Sequence, residues 1–92
     1  MSIKIHIPHL MQSLTDNQEF LETSKENKNV GACLKECISR YPQLKPKLFN
    51  KKGKLHNYIE IYINQESAYP DELAKPVKDG DLIYITVMLA GG

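Results

Sequence analysis

The two glycines that end the sequence are the residues whose type and position most favour chemistry. Gly91 and Gly92 place no bulky side chain beside the terminal carboxylate, so a narrow channel in a partner protein can close around it. Glycine loses the most conformational entropy on ordering, so we expect a flexible Gly-Gly tail over residues 89–92 after a folded domain over residues 1–88. The four residues from Leu89 extend to about 13 Å, enough to enter another protein's active site. Small, mobile residues are common at chain ends, so the ending alone does not establish this role.

Cysteine and histidine side chains give only a weak indication of a metal site. Cys33 and Cys37 are four residues apart on one face of a predicted helix, but that face is the apolar one and no second cysteine pair completes a zinc site. We therefore predict that both are reduced and packed in the core. His6, His9 and His56 lack a HExxH pattern or a carboxylate partner, so we expect solvated side chains and no metal. The sequence has no phosphate-binding glycine loop, nucleophile elbow or paired carboxylates, so it indicates no catalytic residues.

Three tyrosines are the candidates for a partner-binding face. Tyr58, Tyr62 and Tyr84 alternate with aliphatic residues, so burial of the aliphatic side chains would place all three on the outer face of a sheet. Aromatic groups on an uncovered face are typical of a protein-binding surface, although cross-strand pairing that stabilises the sheet explains them too. The lysine-rich run from Lys45 to Lys54 is interpreted more simply as a solvated loop than as a docking patch for an acidic partner.

The elements that position these groups follow from the periodicity of apolar residues. Apolar–polar alternation predicts four strands, at residues 3–7, around Phe20 within residues 18–23, at residues 58–63 and at residues 82–87. Between the second and third, Asn29 is the predicted N-cap of an amphipathic helix that Pro42 ends. Its single apolar stripe should lie on the sheet. We therefore predict an α+β fold, a mixed sheet with one main helix packed on one face.

Size and charge narrow the classes of function. The 92 residues include 12 basic and 11 acidic side chains, a formal net charge of +1, which removes the long-range attraction expected of a nucleic-acid or anionic-membrane partner. No apolar run approaches the roughly 20 residues that span a bilayer, and the start lacks the apolar stretch of a signal peptide. With reduced cysteines, this favours a cytoplasmic protein. A domain this small leaves little room for an internal catalytic cleft.

Five short motifs follow one another along the chain: Val30-Gly31 at the helix start, Tyr41-Pro42 at its end, Ile61-Tyr62-Ile63-Asn64 in the central strand, Asp79-Gly80-Asp81 before the last strand and Ala90-Gly91-Gly92 in the tail. Together, and in this order, they resemble the ThiS/MoaD family of ubiquitin-like sulfur carriers over essentially the whole chain. The resemblance implies the ubiquitin-like β-grasp fold.

The resemblance also implies a carrier cycle in which this chain is not an enzyme. An adenylating, ubiquitin-activating-like partner would use ATP to adenylate the Gly92 carboxylate, and a sulfur donor would then displace AMP and leave a C-terminal thiocarboxylate. Leu89, Ala90 and Gly91 would thread the partner's channel, and the chain itself would bind no cofactor. Further implied partners are a sulfide-accepting biosynthetic enzyme and, as a candidate, a metalloprotease that processes the C-terminus.

The length of residues 42–57, with Gly53-Lys54-Leu55-His56 before the central strand, looks most like the carriers that supply sulfide for cysteine or homocysteine biosynthesis. Molybdopterin-pathway carriers are the next closest and thiamine-pathway carriers follow. The residues before the tail lack the prolines of many family members. A ubiquitin-like protein modifier, with Gly92 in an isopeptide bond to a lysine, is the second hypothesis, and a small enzyme the third.

Overall fold

The computed structural model describes residues 2–88, which form a five-stranded sheet with a helix on one face. The strands are β1 (Ile3–His6), β2 (Phe20–Thr23), β3 (Ile59–Ile63), β4 (Glu66–Ser67) and β5 (Leu82–Val87); the helices are α1 (Val30–Arg40) and α2 (Leu44–Leu48), with 3₁₀ turns at His9–Thr15 and Glu72–Ala74. The sheet order is β2-β1-β5-β3-β4, in which β1 and β5 are parallel and the other pairs are antiparallel. The predicted α+β architecture is confirmed.

Alternation along the strands places the core between the sheet and α1. Strands β1, β3 and β5 and helix α1 contribute many of the side chains that are at most 4% exposed, namely Ile3, Ile5, Ile59, Ile61, Ile83 and Ile85 with Val30, Cys33, Leu34 and Cys37. Each large aliphatic side chain contributes roughly 1.5–3 kcal/mol when buried. The predicted inward face of the sheet and the predicted apolar stripe of the helix are therefore the two halves of one core.

Helix α1 begins and ends where the sequence predicts. Asn29 accepts a hydrogen bond at Oδ1 from the Ala32 amide at 2.8 Å, which satisfies one of the amides that a helix start leaves unpaired. A side chain at Gly31 would place its Cβ 3.1 Å from the backbone oxygen of Leu73. Glycine at this position therefore lets the segment before β5 approach the helix closely, and the Val30 amide donates to the Lys75 carbonyl there at 3.0 Å.

Three local features differ from what the sequence predicts. The polar stretch after Pro8, outside the predicted strands, forms a 3₁₀ helix at His9–Thr15, and the lysine-rich run, interpreted as a solvated loop, contains the short helix α2, which Leu44 and Leu48, both 1% exposed, anchor to the core. The sequence also predicts a turn over residues 64–66, which is wrong at its last residue: Asn64 and Gln65, with φ of 49° and 76°, make the turn, and Glu66 begins β4.

Within residues 2–88, the structure contains no helix of the length and apolar character that crossing a membrane requires.

Candidate functional site

The outer face of the sheet carries a row of aromatic rings, which we call the aromatic row: Phe20, His6, Tyr84 and Tyr62. Strand register sets the row, because His6 is paired with Phe20 on β2 and with Tyr84 on β5, and Tyr84 is paired with Tyr62 on β3. The His6 ring stacks on Tyr84 at a centroid distance of 4.6 Å and meets the edge of Phe20 at 5.0 Å. Four neighbouring strands thus each contribute one ring to the row.

This surface faces away from the core and α1. Phe20 is 42% exposed and the two tyrosines of the row are half-buried. A shallow hollow of about 460 Å³ adjoins the row and is lined by Tyr62, Asn64, Gln65, Leu82, Tyr84 and Thr86. Amphipathic aromatic side chains on an uncovered sheet face, beside a hollow, have the character of a protein-binding surface.

Asn64 and Asp81 fix one edge of the hollow. Asn64 donates from Nδ2 to Asp81 Oδ1 and accepts at Oδ1 from the Leu82 amide, and the Lys78 amide donates to Asp81 Oδ2, each at 2.9 Å. Burial alone would raise the pKa of Asp81, but these donors and the Lys78 ammonium at 3.5 Å outweigh it and lower the pKa. The carboxylate therefore joins the β3–β4 turn to the start of β5.

The last described residue, Met88, lies beside Tyr58. The Met88 amide donates to the Tyr58 carbonyl at 2.7 Å, and the Tyr58 ring stacks on His56 at 4.8 Å. Tyr58 and Met88 are 41% and 49% exposed. The root of the tail is therefore anchored next to the third predicted tyrosine. The predicted tail residues themselves, Leu89, Ala90, Gly91 and Gly92, lie outside the described residues.

The tyrosines lie on the face predicted for them, whereas two histidines do not behave as expected. The expectation that His6 and His56 are solvated is wrong: His6 Nε2 is 3.0 Å from Glu19 Oε2 and its ring lies within the aromatic row, and His56 Nε2 is 2.9 Å from the Pro46 carbonyl oxygen. His9 is exposed as expected. Sequence reasoning missed Phe20 and His6 as members of the face, although the polar phase of the first strand contained His6.

The cysteines do not form a reactive or metal-binding site. Both thiols are free, and Cys33 and Cys37 are 0% and 1% exposed. Burial raises the pKa of Cys33 and raises the pKa of Cys37 to about 12, so both remain protonated at neutral pH. Residues 2–88 contain no cluster of three or more histidine, cysteine or acidic side chains that could hold a metal ion. The prediction that the cysteines pack in the core is confirmed.

A mixed sheet with β1 and β5 parallel at its centre and a helix across one face is the β-grasp of ubiquitin-like proteins. The ThiS family model matches residues 5–92, so the chain belongs to the ThiS family, and the resemblance to ThiS/MoaD-type sulfur carriers is confirmed. The matched range includes Gly91 and Gly92.

Solved structures share the fold over nearly the whole chain. A chain of the crystal structure of the BexX/CysO complex from Amycolatopsis orientalis is 27% identical, with a TM-score of 0.85 and coverage of 99% of this chain and 100% of that one. CysO from Mycobacterium tuberculosis is 26% identical, with a TM-score of 0.82 and coverage of 95% and 99%. The small archaeal modifier protein SAMP1 from Methanosarcina acetivorans is 25% identical, with a TM-score of 0.80 and coverage of 99% and 96%. No curated protein matches the chain significantly.

Proposed function

We propose that this protein is a sulfur carrier whose Gly92 carboxylate is adenylated by a partner enzyme and then converted to a thiocarboxylate. The observation that carries the proposal is the family match, which extends through the tail to residue 92. The small size of the chain and the burial of both thiols agree with this proposal, in which a partner enzyme supplies the catalytic groups.

The chemistry proposed for the tail has a simple physical basis. A carboxylate is a poor electrophile, and transfer of AMP from ATP, with release of pyrophosphate, gives the acyl carbon a good leaving group. A hydrosulfide group from the sulfur donor then attacks that carbon, the bond to AMP breaks, and Gly92 ends in a thiocarboxylate. Leu89, Ala90 and Gly91 occupy the partner's channel during these steps. The chain binds no cofactor itself, since ATP is held by the adenylating enzyme.

We assign recognition by the partner to the outer face. Tyr62 and Tyr84 are neighbours in the aromatic row, and Tyr58 contacts the root of the tail through Met88. An enzyme that holds Gly92 therefore meets the root first and the row next. The acceptor that we favour is an enzyme of cysteine or homocysteine biosynthesis, because the two CysO structures resemble this chain at 26–27% identity.

A second candidate function is protein modification. The similarity to SAMP1, named as a small archaeal modifier protein, favours it. In that function the adenylated Gly92 would react with a lysine amine in place of sulfide. The two functions share activation and differ only in the acceptor.

Intact-mass measurement after incubation with ATP, sulfide and the adenylating enzyme of the same genome tests the proposal. Exchange of one oxygen for sulfur at the C-terminus is the expected product, and conjugates of higher mass would favour the modifier. Deletion of Gly91 and Gly92 should abolish adenylation, and unchanged adenylation of that variant would refute the role of the tail.

Tyr62→Ala tests the recognition face separately. We expect about a tenfold weaker affinity for the adenylating enzyme, as for the loss of an aromatic contact in an interface, with a loss of folding stability of at most about 1 kcal/mol from the cross-strand pair. Leu10→Ala is the matched control, because Leu10 is 67% exposed and lies outside the aromatic row. Equal affinities for the two variants would remove Tyr62 from the interface and leave it a role in pairing only.

A further inference from the structure

The formal net charge of +1 conceals a strong segregation of charge along the chain. Residues 41–59, which we call the basic segment, contain five lysines and no aspartate or glutamate, whereas the remaining residues have seven basic and eleven acidic side chains and a net charge of −4. All five lysines are exposed: Lys45, Lys47, Lys51, Lys52 and Lys54. The basic segment follows α1 and leads into β3.

The backbone holds these lysines in an ordered arrangement. Asn50 accepts hydrogen bonds at Oδ1 from the amides of Lys52 and Lys54 at 2.8 and 3.1 Å, and its own amide donates to the Lys54 carbonyl at 2.8 Å. Gly53 adopts the left-handed conformation that this turn requires, with φ of 79°. Leu48, which is 1% exposed, ties the preceding helix to the core. The turn therefore presents its lysines on a built scaffold.

The ammonium groups of the basic segment form no ion pair with any of the described residues. Within residues 2–88, the ion pairs are His6–Glu19, Arg40–Glu36 and Lys78–Asp81. The five lysines take part in none of them. Like charges held close together repel one another, so their concentration here is a cost to the isolated protein that a complementary partner surface would offset.

The basic segment also adjoins the root of the tail. The residues that line a cleft of about 880 Å³ include Lys54, Leu55, His56 and Asn57 of the basic segment together with Met88. The four residues after Met88 span at most about 13 Å, and charges act over about 8 Å at physiological ionic strength. A protein that holds Gly92 in its active site must therefore bring its surface close to the basic segment.

We propose that the basic segment docks on an acidic surface of the adenylating enzyme and steers the carrier so that its tail enters the active site. The proposal rests on the proposed function and adds the charge of the surface that the partner presents. Glu60, Asp71 and Glu72 line the same cleft, so a nucleic acid lying along it would bring its phosphates against three carboxylates. A protein surface can place acidic groups opposite the lysines and neutral or basic groups opposite these carboxylates. The mixed charge of the cleft therefore favours a protein over a nucleic acid.

Charge reversal with a matched control tests the proposal. The variant is Lys51→Glu/Lys52→Glu/Lys54→Glu, and the control is Lys25→Glu/Lys28→Glu/Lys35→Glu, which changes the net charge equally at three exposed lysines outside the basic segment. Thermal unfolding verifies that both variants fold. The assay is ATP-dependent adenylation by the enzyme of the same genome, with KM and kcat measured at about 50 mM and about 500 mM NaCl. Attraction between charged surfaces is weakly screened at the lower concentration and strongly screened at the higher one.

At low salt we expect the basic-segment variant to raise KM for the carrier at least about tenfold with kcat unchanged, as for lost electrostatic steering. The difference should disappear at high salt, the control should stay within about twofold of the wild type, and Lys51→Ala/Lys52→Ala/Lys54→Ala should give an intermediate KM.

Three results would overturn the proposal, and they are distinguishable. Equal KM values for the basic-segment variant and the control, with the wild type active, would refute the steering role alone. Absence of adenylation of the wild type would refute the proposed function and the steering with it. Binding of a short RNA duplex that depends on the three lysines, with adenylation kinetics unchanged, would assign the basic segment to a nucleic acid instead.

Discussion

Replacement of Asp81 by asparagine should destabilise the fold more than its small change in shape suggests. Asp81 is 7% exposed and its two carboxylate oxygens accept from the Asn64 side chain and the Lys78 amide. An asparagine has one acceptor and one donor there, so its NH₂ group must face one of the two donors. Asn64 cannot rotate its amide to adapt without losing the bond from Leu82.

The expected cost is about 2 kcal/mol, because a hydrogen bond to a charged group contributes roughly 1.5–3 kcal/mol and a donor left unpaired is penalised further. For a domain of this size that cost corresponds to a fall in Tm of about 8–16 °C. Urea unfolding at pH 7 and thermal unfolding measure the two quantities. Asp79→Asn is the matched control, since Asp79 is exposed in the same turn and its side chain makes no hydrogen bond within residues 2–88. It should change stability by less than about 0.5 kcal/mol.

The pH dependence gives a second, independent check. The pKa of Asp81 is lower in the folded state than in the unfolded chain. The contribution of its carboxylate to the free energy of unfolding is therefore fully present above the unfolded pKa of about 3.9 and is lost as the pH falls through the folded pKa. The difference in stability between wild type and Asp81→Asn should therefore be constant from about pH 5 to pH 7 and shrink below about pH 4. A difference that is independent of pH, or equal effects of the two substitutions, would refute the assignment of the carboxylate as the cause.

Three further predictions concern the packing of the scaffold. Cys37 should react with a thiol reagent at least about a hundredfold more slowly in the native protein than in the urea-unfolded chain, because burial raises its pKa to about 12; equal rates would show that the thiol is accessible. Asn29→Ala should lower the free energy of unfolding by about 1 kcal/mol through loss of the helix cap, whereas Asn57→Ala, at an exposed position, should change it little. Leu48→Ala should cost about 2–5 kcal/mol because its side chain is buried, and a cost no larger than that of the exposed Leu10→Ala would contradict its role as the anchor of α2.

Local sequence patterns determine the elements whose side chains face the core, and these are the elements that could be predicted. The alternation of Ile59, Ile61 and Ile63 and the Asn29 cap are readable from neighbouring residues. The 3₁₀ helix at His9–Thr15 has no such period, and β4 exists because Glu66 and Ser67 pair with β3. Neither has a local signature that distinguishes it from a loop.

Members of the aromatic row could be predicted from the sequence only where the pattern within a single strand places them on the outer face. Tyr62 and Tyr84 follow from alternation, whereas the inclusion of His6 and Phe20 depends on which residues of separate strands lie side by side. Register between segments that are far apart in the chain is set by packing of the whole core. The number of lysines in the basic segment can be counted from the sequence. That the basic segment lies beside the root of the tail is seen only in the structure, through the contact between Met88 and Tyr58.

The aromatic row has a consequence for when the carrier can be recognised. Its members, at positions 6, 20, 62 and 84, come from both ends and the middle of the chain, and the parallel pairing of the first and last strands brings them together. Their side chains form one surface only after the core has closed, and a fragment or an unfolded chain has no equivalent of it. If the adenylating enzyme binds the row, as we propose, it adenylates only folded molecules, and recognition would then also test whether the carrier is folded.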